Sequence, residues 1–329
     1  MSTPSDQTPL DLYSISLLLS YECISTEPRF RHAKLRDVAT GSTPFTTPLG
    51  IHKAVVDAPE WISHNRDTKD GFIFEKDDTA TGPDLPSNML PSPVPSNLSH
   101  LSPKELETIF WQARSHDGCY RSVALLQHFF DLYPPNTPLR VRTSAGTDYI
   151  TSASSRVILE MRLLRPKRMT IAYVVAGGVY ITGHEDTMMH AVVGFGPPGE
   201  ANVATVLDLA SLQFGDAGRG LGGRSTFALE SLDAFYDRLE AVAQGADTAN
   251  ARSSERIRQG PHDAWLTWVA KRVKERWEER DTKPWCGHCG RPGEALKKCS
   301  LCLEDYYCDA AHQTAAWPFH KRFCKGKKM

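Results

Sequence analysis

The stretch Cys286-Gly-His-Cys289, followed by Cys299-Ser-Leu-Cys302 and then by Cys308, His312, His320 and Cys324, spaces eight soft donors as C-x2-C-x9-C-x2-C-x5-C-x3-H-x7-H-x3-C. Each C-x2-C pair fits a tight turn that aims two thiolates at one tetrahedral Zn²⁺, an ion that favours sulfur and imidazole ligands. Cys308 with His312, and His320 with Cys324, stand four positions apart, the separation that stacks two side chains on one helix face. Eight ligands fill two spheres of four. Such spheres leave no position for water or substrate, so the ions are expected to be structural. A disulfide reading fits less well, because two histidines are interspersed and two further cysteines, Cys23 and Cys119, lie far upstream without a signal peptide. Spacing alone leaves two pairings open. A sequential one gives a four-cysteine site and a site of two cysteines and two histidines, whereas an interleaved one gives two sites of three cysteines and one histidine each.

Tyr307-Cys308, His312-Gln313, Trp317, His320-Lys321 and Cys324 carry the segment's likeness to a known family: it resembles the MYND-type zinc finger along its whole length. The resemblance implies interleaving, with Cys286, Cys289, Cys308 and His312 on one ion and Cys299, Cys302, His320 and Cys324 on the other. His312 departs from the family's usual cysteine, and imidazole remains an acceptable ligand. The resemblance further implies protein–protein interaction through short proline-containing peptide segments of a partner. Lys297, Lys298, Lys321, Arg322, Lys325, Lys327 and Lys328 make this end basic. No helix here clusters the polar and basic residues that read base edges, so they read as solvated charge and a nucleic-acid partner is not expected. His288, inside the first cysteine turn, reads as a surface residue because the ligand count is complete without it.

The 329-residue chain, 40% hydrophobic and 23% charged, has the composition of a soluble globular protein with room for one sizeable domain beside the finger. Its net charge of −1 hides an asymmetry: residues 251–329 hold 17 Lys and Arg against 10 Asp and Glu, +7, leaving −8 for the rest. The apolar run Leu10 to Ile24 contains Glu22, follows Asp6 and Asp11 and lacks a basic leader. It is therefore read as neither secretory signal nor membrane span, and the expected location is cytoplasmic or nuclear.

Five segments are expected. Residues 1–100, rich in Pro, Ser and Thr, read as irregular with short strands at Ile51 to Val56 and Gly71 to Phe74, the latter at a sheet edge, and with a linker or long loop from Gly82 through Pro95. Residues 101–245 read as an α+β domain. Ser102-Pro103 with Glu105 marks a helix start, Cys119 to Leu132 a second helix, and Val157, Met161 and Leu164 suggest a third over 152–164. Apolar runs bounded by Gly and Pro then predict strands at 170–175, 179–181, 189–195, 204–209 and 226–230, before a helix capped by Ser231. Residues 246–283 read as a hinge, Ala246 to Ser254, and an amphipathic helix from His262 to Arg280 whose tryptophans pack on the protein itself. The finger occupies 284–326, and 327–329 form a basic tail.

Within the α+β region Cys119 lies near a helix start, His190 in one strand and Asp208 in the next. A helix N-terminus favours a thiolate, histidine serves as base, and a carboxylate orients the imidazole. Strands pairing symmetrically about Gly199 would put His190 opposite Asp208, beside Met188, Val192, Val206 and Ala210. Gly118-Cys119-Tyr120, His190-Ala191-Val192 and Val206-Leu207-Asp208 resemble a papain-like or transglutaminase-like core over 101–243, which implies a cysteine-dependent hydrolase or acyltransferase targeted by the finger. Gln112 is a candidate oxyanion donor one residue out of the papain spacing. The glycine-rich run 215–223 lacks G-K-[ST] and opens a strand, so it reads as a flexible loop. The bland alternative for the three residues is core packing around a satisfied histidine–aspartate pair. The leading expectation is an interaction protein built on the finger.

Overall fold

The computed structural model describes residues 8–46, 66–200, 202–220, 222, 224–254 and 263–326. The helices are α1 (Leu12–Ser25), α2 (Pro103–Arg114), α3 (Gly118–Phe130), α4 (Leu232–Val242), α5 (Asp263–Glu278) and α6 (Ala310–Phe323). The strands begin with β1 (Leu10–Asp11), β2 (Ala33–Thr40), β3 (Thr68–Lys76), β4 (Pro138–Arg142), β5 (Asp148–Ser152), β6 (Val157–Pro166) and β7 (Arg168–Val175). They continue with β8 (Gly178–Thr182), β9 (Thr187–Phe195), β10 (Thr205–Asp208), β11 (Ala228–Ser231), β12 (Ala243–Ser254), β13 (Lys297–Lys298) and β14 (Tyr306–Tyr307). Helices and mixed sheets make an α+β protein with the finger at its C-terminal end.

The central sheet has the order β11-β10-β9-β6-β12 and a second sheet the order β2-β3-β7-β8. One face of the central sheet packs through Ile158, Ala191, Val193, Phe195 and Leu207 against α1, α3 and α5. The opposite face, through Met161, Leu163, Val192 and Val206, meets α4 by Phe235 and Leu239 and the turn at Phe214. The second sheet buries Phe72, Phe74, Ala172 and Val174 against α2.

Helix α1 shows how strongly burial overrides composition. Residues 1–100 were expected to be irregular, yet Leu12–Ser25 is a helix with 12 of 14 residues buried. Asp11 caps it, accepting from the Ser14 N–H at 2.9 Å. Being apolar all round, the helix gains by burial on every side. Its one acid, the buried Glu22, is held by Arg272 at 2.7 Å and Arg276 at 2.8 Å, both on α5. That pairing docks α5 on α1, as the self-packing reading of the tryptophan helix requires, with Trp277 buried and Trp268 turned outward at 47% exposure.

Other expectations hold or change for visible reasons. Ser102 and Glu105 form the anticipated capping box of α2, and the Ser231 hydroxyl caps α4. The segment 152–164 forms no α-helix: a short turn at Ala153–Ser155 leads into β6, which pairs with β9 on one side and β12 on the other. Leu159, Met161 and Leu163 share one face with period 2, and two ladders outweigh the helical spacing of Val157, Met161 and Leu164. Ala246 to Ser254, expected as a hinge, belongs to β12, whose register on β6 shifts between Asp247 and Arg252. Strand β3 carries Gly71 to Phe74 inside its sheet, antiparallel to β2 and parallel to β7, not at an edge. The expected strand at Ile51 to Val56 lies outside the described residues. Among the described residues no helix is long and apolar enough to cross a membrane.

Candidate metal centre

The eight donors converge as two interleaved sets. Cys286, Cys289, Cys308 and His312 form one group and Cys299, Cys302, His320 and Cys324 the other, the ligand atoms of each lying within 4.8 Å of one another. The first pair of cysteines sits on a turn closed by the Gly290 N–H donating to the Cys286 carbonyl at 2.8 Å. The second sits on a turn closed by the Leu303 N–H donating to the Cys299 carbonyl at 3.0 Å. Helix α6, capped by the Asp309 carboxylate, presents His312 one turn in and His320 two turns further on.

Zn–S bonds of about 2.3 Å and Zn–N bonds of about 2.0 Å put tetrahedral ligand atoms roughly 3.3 to 3.8 Å apart. Cys286 Sγ lies 3.3 Å from His312 Nδ1, and Cys289 Sγ 3.8 Å from Cys308 Sγ. In the second set His320 Nε2 lies 3.3 Å from Cys299 Sγ and 3.7 Å from Cys302 Sγ. Both sets fit the ion. Their electrostatics call for it as well: hydrogen bonds from Cys289 and Cys308 hold the Cys286 thiol far below its ordinary range, while the same bond to Cys286 pushes Cys289 up. Neighbouring thiols that cannot all ionise together become joint ligands only around a cation. With four protein donors each, the two zinc ions are structural.

The histidines differ in what orients them. His320 turns Nε2 toward its sulfurs and Nδ1 to the Asp305 carboxylate at 3.2 Å, within the finger itself. His312 turns Nδ1 to Cys286, and one of its nitrogens also lies within 4.8 Å of Glu107 and His288. His288 is not at the surface as the ligand count suggested. It is 4% exposed, and its Nε2 lies 2.8 Å from the carboxylate of Glu107 on α2. The sequence offered no sign of this, because the partner lies 181 residues away.

Residues 286–324 match a family model, that of the MYND finger. The chain therefore carries a MYND-type zinc finger, a module generally used for protein–protein interaction. Neither a curated protein nor a solved structure matches the chain.

Of the second cluster expected from sequence, His190 and Asp208 lie side by side. His190 Nε2 and Asp208 Oδ2 are 3.0 Å apart, the histidine fully buried and the aspartate nearly so. The register differs from the symmetric guess. Leu207 pairs with Val193 and Thr205 with Phe195, so the hairpin is offset by two residues and Asp208 reaches His190 diagonally. An offset of two keeps both on one face. Arg238 on α4 donates to Asp208 at 3.2 Å and to Glu230 at 2.7 Å, and Phe214 packs on the imidazole with centroids 5.4 Å apart. Cys119, in the first turn of α3, lies by the Met189 carbonyl at 3.9 Å and adds to the field on His190. His190 Nδ1 has no hydrogen-bond partner. Gln112 is committed elsewhere, donating to Thr170 at 2.9 Å and Asp70 at 3.0 Å. The start of the glycine-rich run is packed, not loose: Gly218 approaches the Ser211 carbonyl so closely that a Cβ would lie 1.7 Å from it.

Burial pushes the His190 pKa down, but the Asp208 carboxylate outweighs it and carries the group up to about 9. A raised folded pKa stabilises fully below the unfolded value of about 6.5 and loses that contribution as pH rises through about 9. His190→Gln is therefore expected to lower the urea midpoint at pH 6.5, and the gap from wild type is expected to narrow by pH 9.5. A gap independent of pH would show that the imidazole is not charged in the folded protein.

Proposed function

We propose that this chain recruits a protein partner through its finger, docking a short proline-containing segment, and that it does so in the cytoplasm or nucleus. The supporting observation is the distribution of exposed apolar groups. Leu301 (54% exposed) and Leu303 (42%) flank the second ion's turn, and Trp317 (37%) stands over its ligand His320 with ring centroids 5.8 Å apart. Large apolar side chains presented by a rigid metal-held turn suit the capture of a peptide, whose proline rings and extended backbone need little ordering. Lys297, Lys298, Lys321 and Arg322, exposed on the same finger, favour a segment with acidic residues nearby. The zinc-loaded chain is expected to bind immobilised proline-containing peptides, and Leu303→Asp to weaken binding at least about tenfold with both ions retained. Equal binding by Leu303→Asp, or by protein stripped of zinc, would overturn the proposal.

A second reading rests on the buried cluster: a cysteine-dependent hydrolase or acyltransferase directed by the finger. It is supported by Cys119 at a helix start, beside an imidazole whose other nitrogen is fixed by Asp208. In this reading Cys119 Sγ bonds to an acyl carbon beside an already protonated His190, which gives its proton to the departing amine, alcohol or thiol as the acyl bond to that group breaks. Water or a second nucleophile then releases the acyl group. On this reading iodoacetamide labels Cys119 in the folded protein at pH 7, and His190→Gln slows labelling about tenfold or more. A thiol that labels only after denaturation would leave the cluster a structural one.

A further inference from the structure

The two zinc sites are built alike but supported differently. At the second, the ligand His320 is oriented by Asp305, three residues beyond Cys302 and inside the finger. At the first, a carboxylate of the body stands behind the cysteine turn: Glu107 on α2, 2.8 Å from His288 and within 4.8 Å of a nitrogen of His312. Glu107 is in turn fixed by the buried Arg219 at 3.2 Å, which also takes Asp216 at 2.9 Å and Thr108 at 2.9 Å.

The rest of the first cysteine turn is seated in the body as well. The Gly290 carbonyl accepts from Arg276 on α5 at 2.6 Å, and the His288 carbonyl accepts from Thr226 at 3.5 Å. Gly290, at φ +75°, stands so near α1 that a Cβ would lie 2.6 Å from the Leu17 carbonyl and 2.8 Å from Tyr21 Cβ. Arg276 also holds Glu22, so the finger contact continues the ion-pair group that joins α1 to α5. The second turn, by contrast, leaves Leu301 and Leu303 exposed.

We infer that Glu107 is a positioning residue for the first zinc ion, acting on the ligand His312 through His288 across the junction, so that the orienting carboxylate is the body's at the first ion and the finger's own at the second. At the second site Asp305 fixes the ligating ring directly; at the first, Glu107 fixes His288, whose ring packs on the ligand His312 with centroids 4.7 Å apart, and losing an outer partner of this kind weakens metal binding about 10- to 100-fold. Linkage makes the effect reciprocal. Whatever factor docking adds to affinity at the first site, the ion there returns to docking. The second ion, beside the exposed Leu301 and Leu303, is then free to carry the recruiting face without disturbing that joint.

The test is zinc release from the full-length, zinc-loaded chain into excess chelator, with each cysteine's exposure followed by alkylation and mass spectrometry. Glu107→Gln is expected to speed loss of one ion about 10- to 100-fold, with Cys286, Cys289 and Cys308 labelled together while Cys299, Cys302 and Cys324 keep the wild-type rate. Asp305→Asn is expected to give the converse pattern. Should Glu107→Gln fail to fold, Glu107→Asp, which keeps the charge on a shorter arm, is expected to accelerate the same ion to a smaller degree. Unchanged release, or equal acceleration of both cysteine sets, would overturn the assignment.

Discussion

Three thiolates and an imidazole brought within 4.8 Å of one another need a dication among them, because the thiolates otherwise repel, and the C-terminal segment repeats that constraint twice. The elements between the ligands are short: a two-residue strand pair, β13 with β14, and one helix, α6. Their shared core is essentially the ligands themselves with Tyr307 and Ala316. Such a unit buries too little apolar surface to stand alone, so metal binding supplies its folding free energy, on the order of 10 kcal/mol or more per ion. The shape it offers to a partner, and the seat it takes against the body, both follow from metal being held.

The body contributes the other half of that arrangement. Its α5 lies between α1 and α3 in the helical layer, and α1 grips it through Glu22 while receiving the first cysteine turn beside Leu17 and Tyr21. Tyr13, on the same helix, stacks on Phe319 of α6 with centroids 3.4 Å apart. Arg142 of β4 lies over the Phe319 and Phe323 rings at 5.3 and 4.6 Å. The finger thus meets the body along one side of α6 and through its first turn. Leu301, Leu303 and Trp317 remain on its open surface, where a recruiting function needs them.

What the sequence disclosed followed the reach of each signal. Ligand spacing is local chemistry, so all eight zinc donors were legible, and the family resemblance supplied their interleaving. Capping at Ser102 and Ser231 was legible for the same reason, since a side chain three residues away decides it. The segment 152–164 misled because Val157, Met161 and Leu164 satisfy a helical spacing, whereas the two neighbours that make β6 a strand come from elsewhere in the chain. Helix α1 was hidden by a lack of amphipathicity: apolar on all sides, it reveals itself only when other elements cover it. The contact of His288 with Glu107 and the two-residue offset of the β9–β10 hairpin are tertiary facts, and nothing in the local sequence encodes them. His190 and Asp208 still met, because an offset of two preserves the face on which alternation had placed them.

The central claim is most directly tested by counting metal and watching structure together, with elemental analysis of the purified chain alongside amide exchange over residues 286–324 before and after chelation. Two zinc ions per chain, with protection across the segment lost when they are removed, is the predicted result. Fewer than two ions, with the segment still protected after chelation, would contradict it.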